Sequence, residues 1–193
     1  MVDALVSAAP HVLLRRYSSN PGHCVPASIS GAIALNKAGA VARPLPCIVA
    51  VFHRRSLCGG VGIGSTPTER FENLKALNLP GFPPWETFRT LPLASFRSRT
   101  PGADGGHMLI EAAVGSARAL IDLTSAQIST GTLVVPRCVV SVEGWPRFAI
   151  GEYEIHYGPT INPSPEDALA RAEKCSEPTD EIAREFQERM NGG

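Results

Sequence analysis

Two apolar runs separated by Gly115-Ser116 constrain the fold more than any other feature of this sequence. His107 to Val114 and Ala117 to Leu123 each have the length and character of a strand. A two-residue turn between them joins them as an antiparallel hairpin. Val114 then pairs with Ala117, and paired residue numbers sum to 231. In that register Leu109 faces Asp122, so His107 and Asp122 become diagonal neighbours on one face, within reach for an imidazole and a carboxylate. A three-residue loop would place them on opposite faces, which makes the register decisive.

More strands are expected around this hairpin: Leu45 to Phe52, Thr132 to Val142, and Arg147 to Tyr157 with a bulge at Gly151. Helical spacing of Ile29, Ala32, Ile33 and Leu35, with Pro26 in the first turn and Gly39 as a stop, predicts a helix from Cys24 to Ala38. The turn-forming run Ser18-Ser19-Asn20-Pro21-Gly22 precedes it. A further helix is expected from Thr68 to Leu77. The tail is helical, opened by Ser164-Pro165-Glu166-Asp167 and restarted at Thr179 after Pro178. Residues 56–105 otherwise carry dense Gly and Pro signals and read as long loops. A leading helix, an antiparallel sheet and closing helices make an α+β domain.

Hydrophobic residues make up 44% of the 193 positions and charged ones 19%, enough apolar material for one core without disulfide staples. No apolar run approaches the ~20 residues of a membrane span, so no membrane association is expected. The formal net charge of zero argues against gripping a phosphate backbone, and no nucleic-acid partner is expected. Charge is uneven, however. Residues 1–100 hold 11 Lys/Arg and 4 Asp/Glu, and residues 101–193 hold 7 and 14, giving +7 and −7. The plain reading is attraction between the halves within one fold. The five cysteines, Cys24, Cys47, Cys58, Cys138 and Cys175, are odd in number and form no C-x-x-C pair, so no metal or cofactor is expected. Asp3, Pro10 and His11 interrupt the apolar N-terminal stretch and Arg15-Arg16 follow it, which fits a secretory signal badly. The expectation is a reducing, cytoplasmic compartment.

Cys24 stands out on local physics. A thiol at a helix N-terminus meets the positive end of the dipole and unpaired backbone N–H groups, which favour the nucleophilic thiolate. The same N–H groups can receive an oxyanion. Cys47 and Cys138, inside apolar runs, read as structural. Among the histidines, His107 is the better base, because its strand brings it to Asp122 and an acid orienting an imidazole is the arrangement a thiol enzyme needs.

The order of Cys at a helix start, His opening a strand and Asp on the next strand resembles the transglutaminase-like branch of the papain-like cysteine enzymes. In that family the nucleophile helix runs into a Gly, a small-residue step, an Arg and a strand. Here Asn36-Lys37-Ala38-Gly39-Ala40-Val41-Ala42-Arg43 precedes Leu45 to Phe52. Gly106-His107-Met108-Leu109-Ile110-Glu111 resembles the His-led strand, and Leu120-Ile121-Asp122-Leu123-Thr124 resembles the Asp-Pro-Thr strand end with Leu for Pro. The family's common Trp near the cysteine or histidine is absent.

By that resemblance the fold is papain-like, with Cys24 as nucleophile, His107 as general base and acid, Asp122 as its orienting partner and Asn20 as oxyanion candidate. The organisation implied is an N-terminal arm or helix at 1–17, a catalytic domain at 18–160 and a helical tail at 161–193. The function implied is a thioester on Cys24 formed from an amide or acyl substrate of protein or peptide type. That covers cysteine peptidase, glutamine deamidase and transglutaminase chemistry. The alternatives are an idle papain-like binding or effector module, and a small-amine acyltransferase using acyl-CoA. The Gly60-x-Gly62-x-Gly64 run lacks the Lys-Ser/Thr ending of a phosphate loop and reads as a flexible loop.

Overall fold

The computed structural model describes residues 1–17, 23–61, 66–91, 106–114, 116–129, 132–161, 164–173 and 179–192. These residues form an α+β structure of six α-helices and seven strands. The helices are α1 (Val2–Tyr17), α2 (Cys24–Lys37), α3 (Pro67–Lys75), α4 (Trp85–Phe88), α5 (Pro165–Glu173) and α6 (Thr179–Gly192). The strands are β1 (Val41–His53), β2 (Ser56–Val61), β3 (His107–Val114), β4 (Ala117–Asp122), β5 (Val139–Ser141), β6 (Arg147–Ile150) and β7 (Tyr153–Pro159). They build one antiparallel, curled sheet in the order β5-β4-β3-β1-β7-β6, with β2 also on β1.

β1 is the spine. Its first half pairs with β3 from Val41↔Ala113 to Cys47↔His107, and its second half with β7 from Cys47↔Pro159 to His53↔Tyr153. The strand begins four residues earlier than the apolar run predicts, although it contains Pro44 and Pro46. Asn36 explains why both are tolerated. Its side-chain amide donates to the Ala42 carbonyl at 2.8 Å and its carbonyl accepts from the Ala42 N–H at 2.7 Å. Even-numbered backbone groups in this stretch therefore point away from β3, and the two prolines remove no ladder bond.

The β3–β4 register runs from Ile110↔Ile121 to Val114↔Ala117, so the paired numbers sum to 231 as the two-residue turn requires. Two other strand expectations are corrected. Arg147 to Tyr157 is not one bulged strand but the β6–β7 hairpin, with Ile150↔Tyr153 as its last pair. Gly151, at φ +59, supplies the turn rather than a bulge. Of Thr132 to Val142, only Val139–Ser141 forms a ladder, on β4. Before it, Leu133 and Val135 are buried with Val134 exposed between them, so the alternation is real. Past an isolated bridge at Leu133, the backbone bonds to side chains: the Val135 N–H donates to Ser129 Oγ and Ser125 Oγ donates to the Pro136 carbonyl.

The pleat divides the core. Leu45, Cys47, Val49 and Val51 share one face with Leu109, Leu120, Ile155 and Tyr157, and Ile128, Leu133 and Val135 fill the space the curl encloses. On the other face Ala42, Ala112 and Ala119 lie beneath α1, α2 and α6, while Ile48, Ala50 and Phe52 meet Phe71, Leu74 and Phe88 from α3 and α4. Both chain ends thus enter the core, through Leu5, Ala9 and Val12 of α1 and Ile182 and Phe186 of α6. Arg16 of α1 ties the two together by pairing with Glu181 at 3.1 Å and with Glu185. Arg43–Glu111 at 2.6 Å and Arg54–Glu152 at 2.8 Å likewise join the basic half of the sequence to the acidic half. No helix among the described residues is long and apolar enough to cross a membrane.

Candidate active site

Two contacts set α2 against β3. Ser28 Oγ donates to the Met108 carbonyl at 2.9 Å. At Gly31 a Cβ would meet Ile110 Cδ1 at 2.6 Å and Leu123 Cδ1 at 3.0 Å, so the tips of these side chains pack directly over the bare backbone of the helix. The helix N-terminus, with Cys24 as its first residue, is thereby carried to the start of β3. His23 stands at the N-cap and makes no side-chain cap bond. Pro26 has no N–H, which leaves the amides of Cys24 and Val25 as the donors of the first turn. Cys24 is 6% exposed, and its Sγ lies 4.0 Å from the Gly106 carbonyl oxygen.

His107 opens β3 opposite Cys47, and Asp122 closes β4. They are 2% and 0% exposed, and His107 Nε2 donates to Asp122 Oδ2 at 2.7 Å. The diagonal contact expected from the register is therefore present. Asp122 holds two further groups. Its Oδ1 accepts from the Thr124 N–H at 2.8 Å and from Thr124 Oγ1 at 3.2 Å, an Asx-type turn that ends the strand. Its Oδ2 also accepts from the Tyr157 hydroxyl at 2.7 Å.

These contacts set the charge of the imidazole. Burial alone favours the neutral ring, but the charge and hydrogen bond of Asp122, followed by the interaction with Cys24, outweigh it and raise His107 to about 10. Nε2 is committed to Asp122, so the interaction with Cys24 falls to Nδ1, which is buried and has no other partner among the described residues. A raised histidine stabilises the fold in its protonated form. That contribution is complete below the unfolded value near 6.5, declines as the pH rises from there, and is gone above about 10. Urea unfolding at pH 6 and pH 10 is expected to show a larger stability loss for the wild type than for His107→Gln over that interval.

The other candidates are distributed elsewhere. Cys47 is wholly buried, and burial, then the charge of Asp122, pushes its thiol well above the usual range. Burial lifts Cys138 to about 11. Cys58 is exposed as a residue, yet its thiol is partly covered, which raises it, and donates to the Val51 carbonyl at 3.4 Å. His23 stacks on Tyr17 with ring centroids 3.7 Å apart, His53 pairs with Glu152 at 3.4 Å and His156 with Glu154 at 3.3 Å. Gly60 lies in β2, where a Cβ would collide with the Val49 carbonyl oxygen at 2.2 Å, so this glycine serves strand packing. Asn20, the oxyanion candidate, and Cys175 lie outside the described residues.

Sequence reasoning missed Tyr157. It is 4% exposed, sits on β7, and reaches Asp122 on β4 across the positions of β1 and β3. On a flat sheet those strands would be about 14 Å apart. The curl closes that distance, and nothing in the local pattern of Tyr153, Ile155 and Tyr157 announces it. Set against known proteins, the chain matches no family model, no curated protein and no solved structure.

Proposed function

We propose that this chain is a thiol enzyme of the transglutaminase-like, papain-like kind, which forms an acyl thioester on Cys24. The supporting observation is the buried His107–Asp122 bond beside a cysteine that opens a helix. Cys24 Sγ attacks an amide or related acyl carbon, and the thiol proton resides on His107. The carbonyl oxygen takes the negative charge and is received by the first-turn amides of α2. His107 returns the proton to the leaving amine as the C–N bond breaks. Water or an amine, deprotonated by His107, then attacks the thioester and releases Cys24. Asp122 holds the imidazole in one orientation throughout.

The substrate proposed is a protein or peptide amide, with hydrolysis at a peptide or glutamine amide favoured over transfer to a small arylamine. The test is incubation of the purified protein with a mixed protein extract, followed by mass spectrometry for new N-termini and for glutamine-to-glutamate conversion. Either product, lost in Cys24→Ala, is expected. Acetylation of an arylamine dependent on acetyl-CoA and Cys24, with neither of those products, would assign the acyltransferase alternative instead. One observation favours a second reading, an idle papain-like binding module: Cys24 is only 6% exposed. A Cys24 that no small electrophile reaches in the folded protein would decide for it.

A further inference from the structure

Two donors compete for one oxygen at the centre of the site. His107 Nε2 and the Tyr157 hydroxyl each lie 2.7 Å from Asp122 Oδ2, while both Thr124 donors occupy Oδ1. The phenol is a fixed donor. Its ring meets the His107 ring edge-on, centroids 6.1 Å apart, and the other side of the site packs it against Phe148. Burial first, then the charge of Asp122, pushes Tyr157 far above the ordinary range, so it remains protonated at every working pH.

We propose that Tyr157 is a positioning residue for the His107–Asp122 pair. By filling the second acceptor site of Asp122 Oδ2 it fixes the carboxylate and takes up part of the negative charge that otherwise acts on His107. It thereby sets the pH at which the imidazole releases its proton. The proposal rests on the reading of His107 as the base of Cys24 and adds a residue to it from a distant strand. Among the described residues, four groups face the imidazole: Cys24 from α2, Cys47 from β1, Asp122 from β4 and Tyr157 from β7. Cys47 is held as the neutral thiol by its burial. A change in the phenol is therefore felt at His107 chiefly through Asp122. A purely structural role would be met by any ring filling the same space, and this separates the two ideas.

The experiment is an NMR titration of the full chain labelled with 13C-histidine, with the His107 resonance assigned by its loss in His107→Gln. Tyr157→Phe keeps the ring and deletes the donor. It is expected to concentrate the carboxylate charge on His107 and raise its midpoint by at least ~0.5 pH unit. Site-specific 3-fluorotyrosine at position 157 keeps the shape and strengthens the donor, so it is expected to lower the midpoint. Midpoints that do not move, or that move in the same direction in both proteins, overturn the proposal. If Tyr157→Phe fails to fold, the sign of the fluorotyrosine shift decides alone. Alkylation of Cys24 in the same samples keeps the two readings apart. An inert Cys24 with the expected opposite shifts sinks the thiol-enzyme reading and leaves the control of His107 by Tyr157 standing. A reactive Cys24 with an unmoved His107 does the reverse.

Discussion

Limiting iodoacetamide at neutral pH is expected to modify Cys24 at least ~10-fold faster than Cys47, Cys58 or Cys138, since Cys24 opens a helix and interacts with the buried His107 imidazole. The comparison is severe because Cys58 is the exposed cysteine of the four and Cys24 a buried one. Exposure and chemistry are thus opposed. Cys47 and Cys138 are disfavoured by burial, and the Cys58 thiol is both partly covered and hydrogen-bonded to a carbonyl, which favours the neutral form. Cys24 has a helix N-terminus and a charged imidazole for neighbours. His107→Ala removes the second of these, and labelling of Cys24 should fall to the rate of Cys58 or below. Turnover, once a substrate is in hand, is expected to vanish in both Cys24→Ala and His107→Ala. Peptide-level mass spectrometry of a time course reads the labelling directly. Equal rates for Cys24 and Cys58 in the folded wild type would remove the ground for a nucleophile at this position.

What the sequence made legible follows from how local each feature is. The hairpin at Gly115-Ser116 was readable because a two-residue turn fixes a register, and a register fixes which side chains share a face. His107 and Asp122 met for that reason alone. The start of α2 was readable from Pro26 and the preceding turn residues, and a helix start needs no distant partner. Failures lie where the deciding contact is remote. The expected strand at Leu45 starts four residues late, because the apolar run does not show that Asn36 bonds Ala42 on the edge of β1 away from β3 and so leaves Pro44 clear of the ladder. Gly151 read as a bulge because the apolar phases on either side of it look continuous, whereas the Arg54 N–H donating to the Glu152 carbonyl at 3.1 Å places the turn beside the β1–β2 connection. Tyr157 was invisible because its partner is three strands away and only the curl of the sheet unites them.

Asp122→Leu is expected to cost stability as well as activity, roughly 3–5 kcal/mol, because removing one partner of a buried ion pair leaves the other charge unmatched. The loss has specific sources. His107 Nε2, the Tyr157 hydroxyl and the Thr124 amide all lose their acceptor in a place that water does not reach, with Asp122 and His107 0% and 2% exposed. Asp122→Asn separates charge from shape. Its carbonyl oxygen can still serve Thr124, but its NH2 group then points at two other donors, so a cost of about 1–3 kcal/mol remains for the unsatisfied groups. The raised acidity range of His107 should collapse toward the ordinary value in both variants, since Asp122 is the main influence that opposes burial. A slower enzyme is expected from Asp122→Asn, with the imidazole present and less well held. Urea unfolding at pH 7 measures the first effect and the His107 titration the second. An Asp122→Leu protein within ~1 kcal/mol of wild type would mean that water or a rearranged hydroxyl replaces the carboxylate, and the site would then lack the rigidity on which its proposed chemistry depends. A strongly destabilised Asp122→Leu protein whose His107 still titrates near 10 would instead make the carboxylate a core element without electrostatic command of the base, and the assignment of Asp122 as orienting acid would fall while the fold argument stood.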